Sequence, residues 1–172
     1  MLGGFMLTKQ ASEHDTDFYG WTREQAGILR ATSPVDTRLD IDNLAEEIEV
    51  MGRAEILAIS SLLRQTLIHL LKAALQPESQ TLTRWFEEIV TFQGDAVLAF
   101  SPGLKQRLDL EKIWRVACNG ATRTLENRAV VVPQLPSTCP LSFDDLLDPE
   151  FDPGAATQLL SAAIQSVAKH GI

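Results

Sequence analysis

The side chains best suited to chemistry are concentrated in residues 42–75 and in the turn that follows them. Carboxylates and an arginine come first, and His69 follows sixteen residues after that arginine, with a lysine three residues further on. Glutamate and histidine can act as general acids, general bases or metal ligands, and lysine can hold an anion. The candidate polar site consists of Asn43, Glu46, Glu47, Arg53, His69, Lys72 and Glu78.

A metal site would use Glu46 and Glu49, or Asn43 and Glu47, together with His69, and the spacing of these residues opposes it. Helical bundles that hold two metals use a Glu-x-x-His motif, whereas the residue three before His69 is Thr66. If 42–75 is one straight helix, Glu49 and His69 lie about 30 Å apart at 1.5 Å per residue. They could share an ion only if the helix folds back or two subunits meet. We therefore predict no metal and no cofactor.

The same residues also have structural explanations. Acidic groups near a helix start interact favourably with the helix dipole, and Glu49 and Arg53 form an i,i+4 pair. His69 lies in a segment that is apolar around the whole helix, which favours a core histidine with a carbonyl or carboxylate partner. Burial would lower its pKa and keep it neutral. Glu55 lies on the apolar face of this helix, so it should pair with a basic group on another helix, for which the candidates are Arg30, Arg84 and Arg115.

The spacing of apolar residues predicts an all-α fold, a helical bundle with a long central helix or helix pair and a C-terminal helix. Capping-box patterns at Thr22 and Ser142 and the Ser101-Pro102 pair are helix-start signals. Whether 42–75 bends near Ser60-Ser61 is open. The predicted helices cover 17–31, 42–75, 80–100, about 102–128, a short turn around Leu146-Leu147, and 154–169. We divide the chain into a mobile arm at 1–16, a bundle domain at 17–153 and a C-terminal helical extension at 154–172.

Composition narrows the function classes. The 172 residues are 45% hydrophobic and 22% charged, typical of a globular protein. A formal charge of -8 argues against nucleic-acid binding, because phosphates would be repelled. No run approaches eighteen apolar residues, so we predict no membrane span. The two cysteines have no metal-binding spacing and the N-terminus is a poor signal peptide, which together favour a cytoplasmic protein with reduced thiols.

The chain resembles the domain of unknown function 29 family of helical bacterial proteins over about 17–153. Family members tend to be basic after the tryptophan, where this chain has Phe86-Glu87-Glu88, and are often aromatic where it has Ala73. The resemblance implies a small helical fold and no established activity. It is carried by Asp17-Phe-Tyr19, Trp21, Gln25-Ala26, Leu29-Arg30, Asp40, Asn43-Leu44, Glu46-Glu47-Ile48-Glu49, Met51-Gly52-Arg53, His69-Leu-Leu-Lys72, Gln76-Pro77-Glu78, Trp85, Ser101-Pro102, Leu104, Cys139-Pro140, Leu147-Asp148, Phe151 and Pro153.

The sequence favours a non-enzymatic interaction domain that binds another protein or itself, for example as a homodimer. It contains no GxSxG, P-loop, GxGxxG or HExxH motif, and the amphipathic segment 154–169 must bury its apolar stripe somewhere. The alternative is a metal-assisted hydrolase or a small-ligand-binding bundle that uses Glu46, Glu47, His69 and Lys72.

Overall fold

The computed structural model describes residues 13–33, 36 and 38–170, and within them it contains helices and no strand. Residues 13–16 form a helical turn. The all-α prediction with a long central helix is confirmed, and the open question about 42–75 is answered by one uninterrupted helix of 35 residues. The elements are α1 (Phe18–Ala31), α2 (Ile41–Leu75), α3 (Leu82–Ala99), a 3₁₀ helix (Pro102–Arg107), α4 (Leu110–Glu126), α5 (Phe143–Leu146) and α6 (Pro153–His170).

The chain divides into two compact units. Unit 1 combines the residues up to Ile59 with Phe100–Leu108, and unit 2 combines Ser60–Ala99 with the residues from Asp109 onward. Helix α2 contributes its first half to unit 1 and its second half to unit 2. Residues 1–12 of the predicted N-terminal arm lie outside the described residues.

Unit 1 is held together by a close approach of α1 and α2 at Gly52. A Cβ added to Gly52 would overlap Oγ1 of the fully buried Thr22 and lie 3.3 Å from the ring of Tyr19. Thr22 was predicted to cap α1, and that prediction is wrong. The helix begins at Phe18 because the Asp17 carboxylate accepts the Gly20 N–H at 2.9 Å, which satisfies an orphan donor one turn earlier. The Thr22 hydroxyl instead donates to the Tyr19 carbonyl.

Unit 1 also contains a buried acid without a partner. Among the described residues, Glu55 Oε2 is buried and has no hydrogen-bond partner, so the predicted ion pair is wrong. Two of its three candidate partners are engaged elsewhere, Arg30 by Glu49 and Arg84 by Glu88. Burial raises the pKa of Glu55, and the negative charge of Asp17 raises it further.

Unit 2 contains the main core. Trp114 is 1% exposed, and its Nε1–H donates to the Pro136 carbonyl at 2.9 Å, which fixes the proline-rich connection after α4. The buried Gln93 amide donates to the carbonyls of Leu146 and Asp148, which fixes α5. The fully buried large apolar residues of this unit are Leu63, Leu67, Leu70, Leu71, Ile89, Leu125, Leu146 and Leu160.

The C-terminal helix packs within its own chain. Helix α6 contacts α3 and buries Ala156, Leu160 and Ile164, and the Ser161 hydroxyl donates to the Ala74 carbonyl at 3.4 Å. The apolar stripe predicted over 154–169 is therefore partly buried inside unit 2, while Leu159 remains 44% exposed.

Two further start signals have different outcomes. The Ser142 capping box is confirmed, with the Ser142 and Asp145 side chains each bonded to the other's backbone N–H. Ser101-Pro102 starts the 3₁₀ helix and not α4. Leu108 is extended, and α4 begins at Leu110, where the Asp109 carboxylate accepts the Lys112 N–H at 2.9 Å.

By length and composition alone, α2 could cross a membrane, since its most apolar 18-residue window has a mean hydropathy of 1.3. The core helix of a folded domain meets the same criterion, and 39% of that window is buried here. The absence of a membrane span stays a prediction.

We predict that Gly52→Ala lowers the free energy of unfolding by about 1–3 kcal/mol, because the added methyl group must displace Thr22 or separate α1 from α2. The matched control is Gly27→Ala, since a Cβ at Gly27 has no neighbour within 4 Å. That change should stabilise the protein by about 0.5–1 kcal/mol, the usual gain from replacing a helical glycine. Urea unfolding of both variants measures the difference. Equal changes in the free energy of unfolding for the two variants would contradict the close approach of α1 and α2 at Gly52.

We predict that Glu55→Gln stabilises the protein more at about pH 8 than at about pH 4. The pKa of Glu55 is raised in the folded state, so that state retains a proton that the unfolded state releases. The free energy of unfolding therefore falls as pH rises from the ordinary glutamate pKa through the raised one. Glutamine has no carboxyl proton to release, so the Glu55→Gln variant does not undergo this fall in the free energy of unfolding. Glu24→Gln, at an exposed position of α1, should give the same small change at both pH values.

Candidate functional site

The candidate polar residues are divided between the two units. Asn43, Glu46, Glu47 and Arg53 belong to unit 1, and His69, Lys72 and Glu78 belong to unit 2.

In unit 1 the carboxylate with the most ionic partners is Glu49. Its Oε1 lies 2.7 Å from the Arg30 guanidinium and 3.7 Å from that of Arg23, and its Oε2 lies 3.7 Å from Arg53. The hydrogen bond from Arg30 holds the pKa of Glu49 below its usual range. A metal ion at Glu49 would have to displace these guanidinium groups. The ion pairs of Glu49 with Arg23 and Arg30 link α2 to α1.

The other unit 1 candidates are at the surface. The Asn43 amide donates to the Asp40 carboxylate at 2.6 Å, within the first turn of α2. Glu46, Glu47 and Arg53 are exposed. Sequence reasoning missed Asp17, which besides capping α1 lies 3.7 Å from Arg107, whose guanidinium stacks on the Tyr19 ring at 4.4 Å.

An apolar surface lies beside these polar residues on α2. Leu44, Val50, Met51 and Leu57 are 43%, 41%, 56% and 69% exposed. Leu44 and Met51 are seven residues apart, as are Val50 and Leu57, so they share one side of the helix with the exposed Ala54 and Ala58. Ala45, Gly52 and Ile59 are buried on the other side. We call the side formed by Leu44, Val50, Met51, Ala54, Leu57 and Ala58 the α2 face. The exposed Asn43 and Glu47 lie on the same side of the helix, towards its N-terminal end.

In unit 2 both nitrogen atoms of the His69 ring have a partner. Nδ1 lies 2.9 Å from the Gln65 carbonyl, Nε2 lies 2.8 Å from Oε2 of Glu88, and the ring stacks on Phe92 with centroids 5.7 Å apart. The expected carbonyl or carboxylate partner is confirmed, and both are present. Burial lowers the pKa of His69, and the Gln65 carbonyl offsets part of this shift.

The geometry around His69 fixes the position of one proton. A carbonyl oxygen only accepts, so Nδ1 must carry the proton that points at Gln65. The contact between Nε2 and the Glu88 carboxylate is an ion pair when the imidazole is protonated.

Lys72 lies one helical turn from His69 and is 7% exposed. Its Nζ lies over the Trp85 ring, 5.0 Å from the centroid. Burial lowers the pKa of Lys72. The carboxylate that acts on it is Glu88. Glu78, the third candidate of unit 2, is exposed.

Sequence reasoning missed Glu88 as a partner of His69, because the two residues are nineteen positions apart on different helices. The sequence does indicate one other partner of Glu88. Arg84 lies four residues before it, a spacing that favours an ion pair on one helix, and Arg84 Nε lies 3.1 Å from Oε1 of Glu88. Across 13–33, 36 and 38–170, no three His, Cys, Asp or Glu side chains form a group that could hold a metal ion.

The two cysteines are free thiols. Burial raises the pKa of Cys118 to about 12 and that of Cys139 to about 11. Both are therefore protonated at neutral pH and poor nucleophiles.

Comparison with known proteins agrees with this architecture. Residues 14–152 match the family described as domain of unknown function DUF29. An alpha-helical protein of unknown function from Rhodospirillum rubrum ATCC 11170, known from a crystal structure, is 33% identical, with a TM-score of 0.79. The similarity covers 86% of this chain and 96% of that one. No curated protein matches the chain. Because the family match extends over most of its length, the chain belongs to the DUF29 family, whose function is unknown.

Proposed function

We propose that this protein is a non-catalytic interaction domain that forms a homodimer through the α2 face. The observation that carries the proposal is the exposure of four large apolar side chains on one side of one helix. Single exposed apolar residues are normal on a protein surface, but a contiguous group of them marks an interaction surface. Leu98 and Val131 are more exposed, at 87% and 92%, but they lie on separate elements.

The charges beside the α2 face suit a second copy of the same helix. Glu46 and Arg53 flank the face on the same side of α2, seven residues apart, and both are exposed. A two-fold axis midway between them passes close to Val50 and Met51. Such an axis makes the two helices antiparallel and sets Glu46 of each copy opposite Arg53 of its partner. The apolar side chains of the two copies then meet around the axis, together with Glu47 of each copy.

Other occupants of this surface match it less well. An anionic membrane surface would repel Glu46 and Glu47 and a protein with a formal charge of -8. The hydrolase or small-ligand alternative rests on Glu46 and Glu47 of unit 1 and on His69 and Lys72 of unit 2. The α2 face therefore favours self-association.

We predict that Met51→Glu and Leu57→Glu each weaken the homodimer at least about tenfold, because each places a charge in an apolar contact, and tenfold corresponds to about 1.4 kcal/mol. Size-exclusion chromatography with light scattering over a dilution series measures the dissociation constant. Leu98→Glu is the control, since Leu98 is exposed outside the α2 face, and it should dimerise like the wild type. A wild-type protein that remains monomeric at the highest soluble concentration would refute self-association.

We predict that Glu46→Arg and Arg53→Glu each weaken the dimer and that the double variant recovers much of the loss. Each single change sets like charges opposite each other twice, once on each side of the two-fold axis. Exposed pairs contribute about 0.2–1 kcal/mol each, so the shift should exceed that of one surface pair. Sedimentation equilibrium at low and high salt provides the readout. A double variant no better than the weaker single variant contradicts the antiparallel arrangement, even if the dimer persists.

A further inference from the structure

A small open cavity of unit 2 lies where the chain passes from α5 into α6. Its volume is about 190 Å³, and its apolar lining includes Leu141, Phe151, Ala156 and Leu159. Leu141 and Ala156 are buried, Phe151 is half-buried, and Leu159 of α6 is 44% exposed. The apolar lining therefore extends from the core of unit 2 to the solvent.

The rest of the lining is acidic. It includes the carboxylates of Asp145, Asp148, Glu150 and Asp152, and all four residues are exposed. No lysine, arginine or histidine is among the described residues that line the cavity. Within 13–33, 36 and 38–170, none of the four carboxylates forms an ion pair with a basic side chain. Their negative charge therefore attracts a cationic group from outside the chain.

Hydrogen bonds hold the acidic segment in place. Oδ1 of Asp148 accepts the Glu150 N–H at 2.9 Å, and Oδ1 of Asp152 accepts the Gly154 N–H at 2.8 Å, at the start of α6. The buried Gln93 amide donates to the Asp148 carbonyl at 2.9 Å. The cavity is thus preformed, so that little conformational freedom is lost when it binds a ligand.

The size and charge of the cavity favour one basic side chain over a whole small molecule. Pockets that enclose a drug-sized ligand measure about 300–1,000 Å³, and this cavity is smaller. Arginine combines an aliphatic stem, which packs along apolar surface, with a planar guanidinium group that binds carboxylates through two N–H donors. A second copy of this chain is a poor source of such a group, because its formal charge of -8 adds repulsion.

We propose that this cavity is a docking site for a basic segment of a different protein, which inserts one arginine side chain between the apolar and the acidic lining. Leu159, at the solvent end of the apolar lining, then contacts an apolar residue next to that arginine. The inference goes beyond the homodimer and does not depend on it. The lining residues all belong to unit 2, whereas the α2 face belongs to unit 1.

The test is a titration of the full chain, followed by amide NMR spectra at an ionic strength of about 0.15 M. The probe is a short blocked peptide with two adjacent arginines flanked by leucines. We expect saturable shifts centred on the amides of residues 141–160. The same peptide with citrulline in place of arginine keeps the stem without the charge, and it should bind at least about tenfold more weakly. Equal binding of the two peptides overturns the proposal.

Two variants test the two linings, each with a matched control on α3. Glu150→Lys should weaken binding at least about tenfold, because it sets like charges together. Glu87→Lys makes the same change in net charge at an exposed position outside the cavity, and it should bind nearly like the wild type. Leu159→Ala should weaken binding about threefold, because it removes apolar contact area. Leu98→Ala removes the same area outside the cavity and should bind like the wild type.

Glu150 and Leu159 are exposed, so both variants should keep the wild-type melting temperature. Absence of saturable shifts, shifts spread over acidic positions outside 141–160, or an equal loss of binding in Glu150→Lys and Glu87→Lys overturns the proposal. Blocked single arginine should bind more weakly than the peptide. If it binds equally tightly, the cavity is a site for a small organic cation, and the docking of a partner segment is refuted.

Discussion

The structure depends on the different burial of the two halves of α2. In the C-terminal half, Leu63, Leu67, Leu70 and Leu71 are fully buried, and at about 25 cal/mol per Å² of apolar area this burial is the main driving force for unit 2. In the N-terminal half only one side is buried, against α1 at Gly52. The burial of the C-terminal half explains why His69 and Lys72 are buried. The partial burial of the N-terminal half explains why the α2 face is exposed.

Much of the fold could be predicted because its signals are local. The 3.6-residue spacing of apolar residues predicts α2 and α4, and the Ser142 pattern contains both halves of its capping box. The errors came from competition between local signals. Thr22 has a good capping pattern, but Asp17 caps the helix one turn earlier. Ser101-Pro102 does start a helical turn, which ends at Leu108 before Asp109 caps α4.

The candidate site was less predictable because its contacts are between helices. Glu49 has an evident neighbour in Arg53, yet its shortest contact is with Arg30 of α1. His69 could be recognised as buried, but its carboxylate partner Glu88 could not. Partner choice of this kind requires the tertiary structure.

Hydrogen exchange along α2, followed by mass spectrometry of the native protein, tests this account most directly. Amides of residues 63–73 should exchange only through global unfolding, with protection equal to the free energy of unfolding, because that segment is enclosed on nearly every side. Amides of residues 44–58 should exchange faster at low protein concentration and slow as the concentration rises. Rapid exchange of residues 63–73, comparable to that of the extended connection at 131–136, would contradict the account.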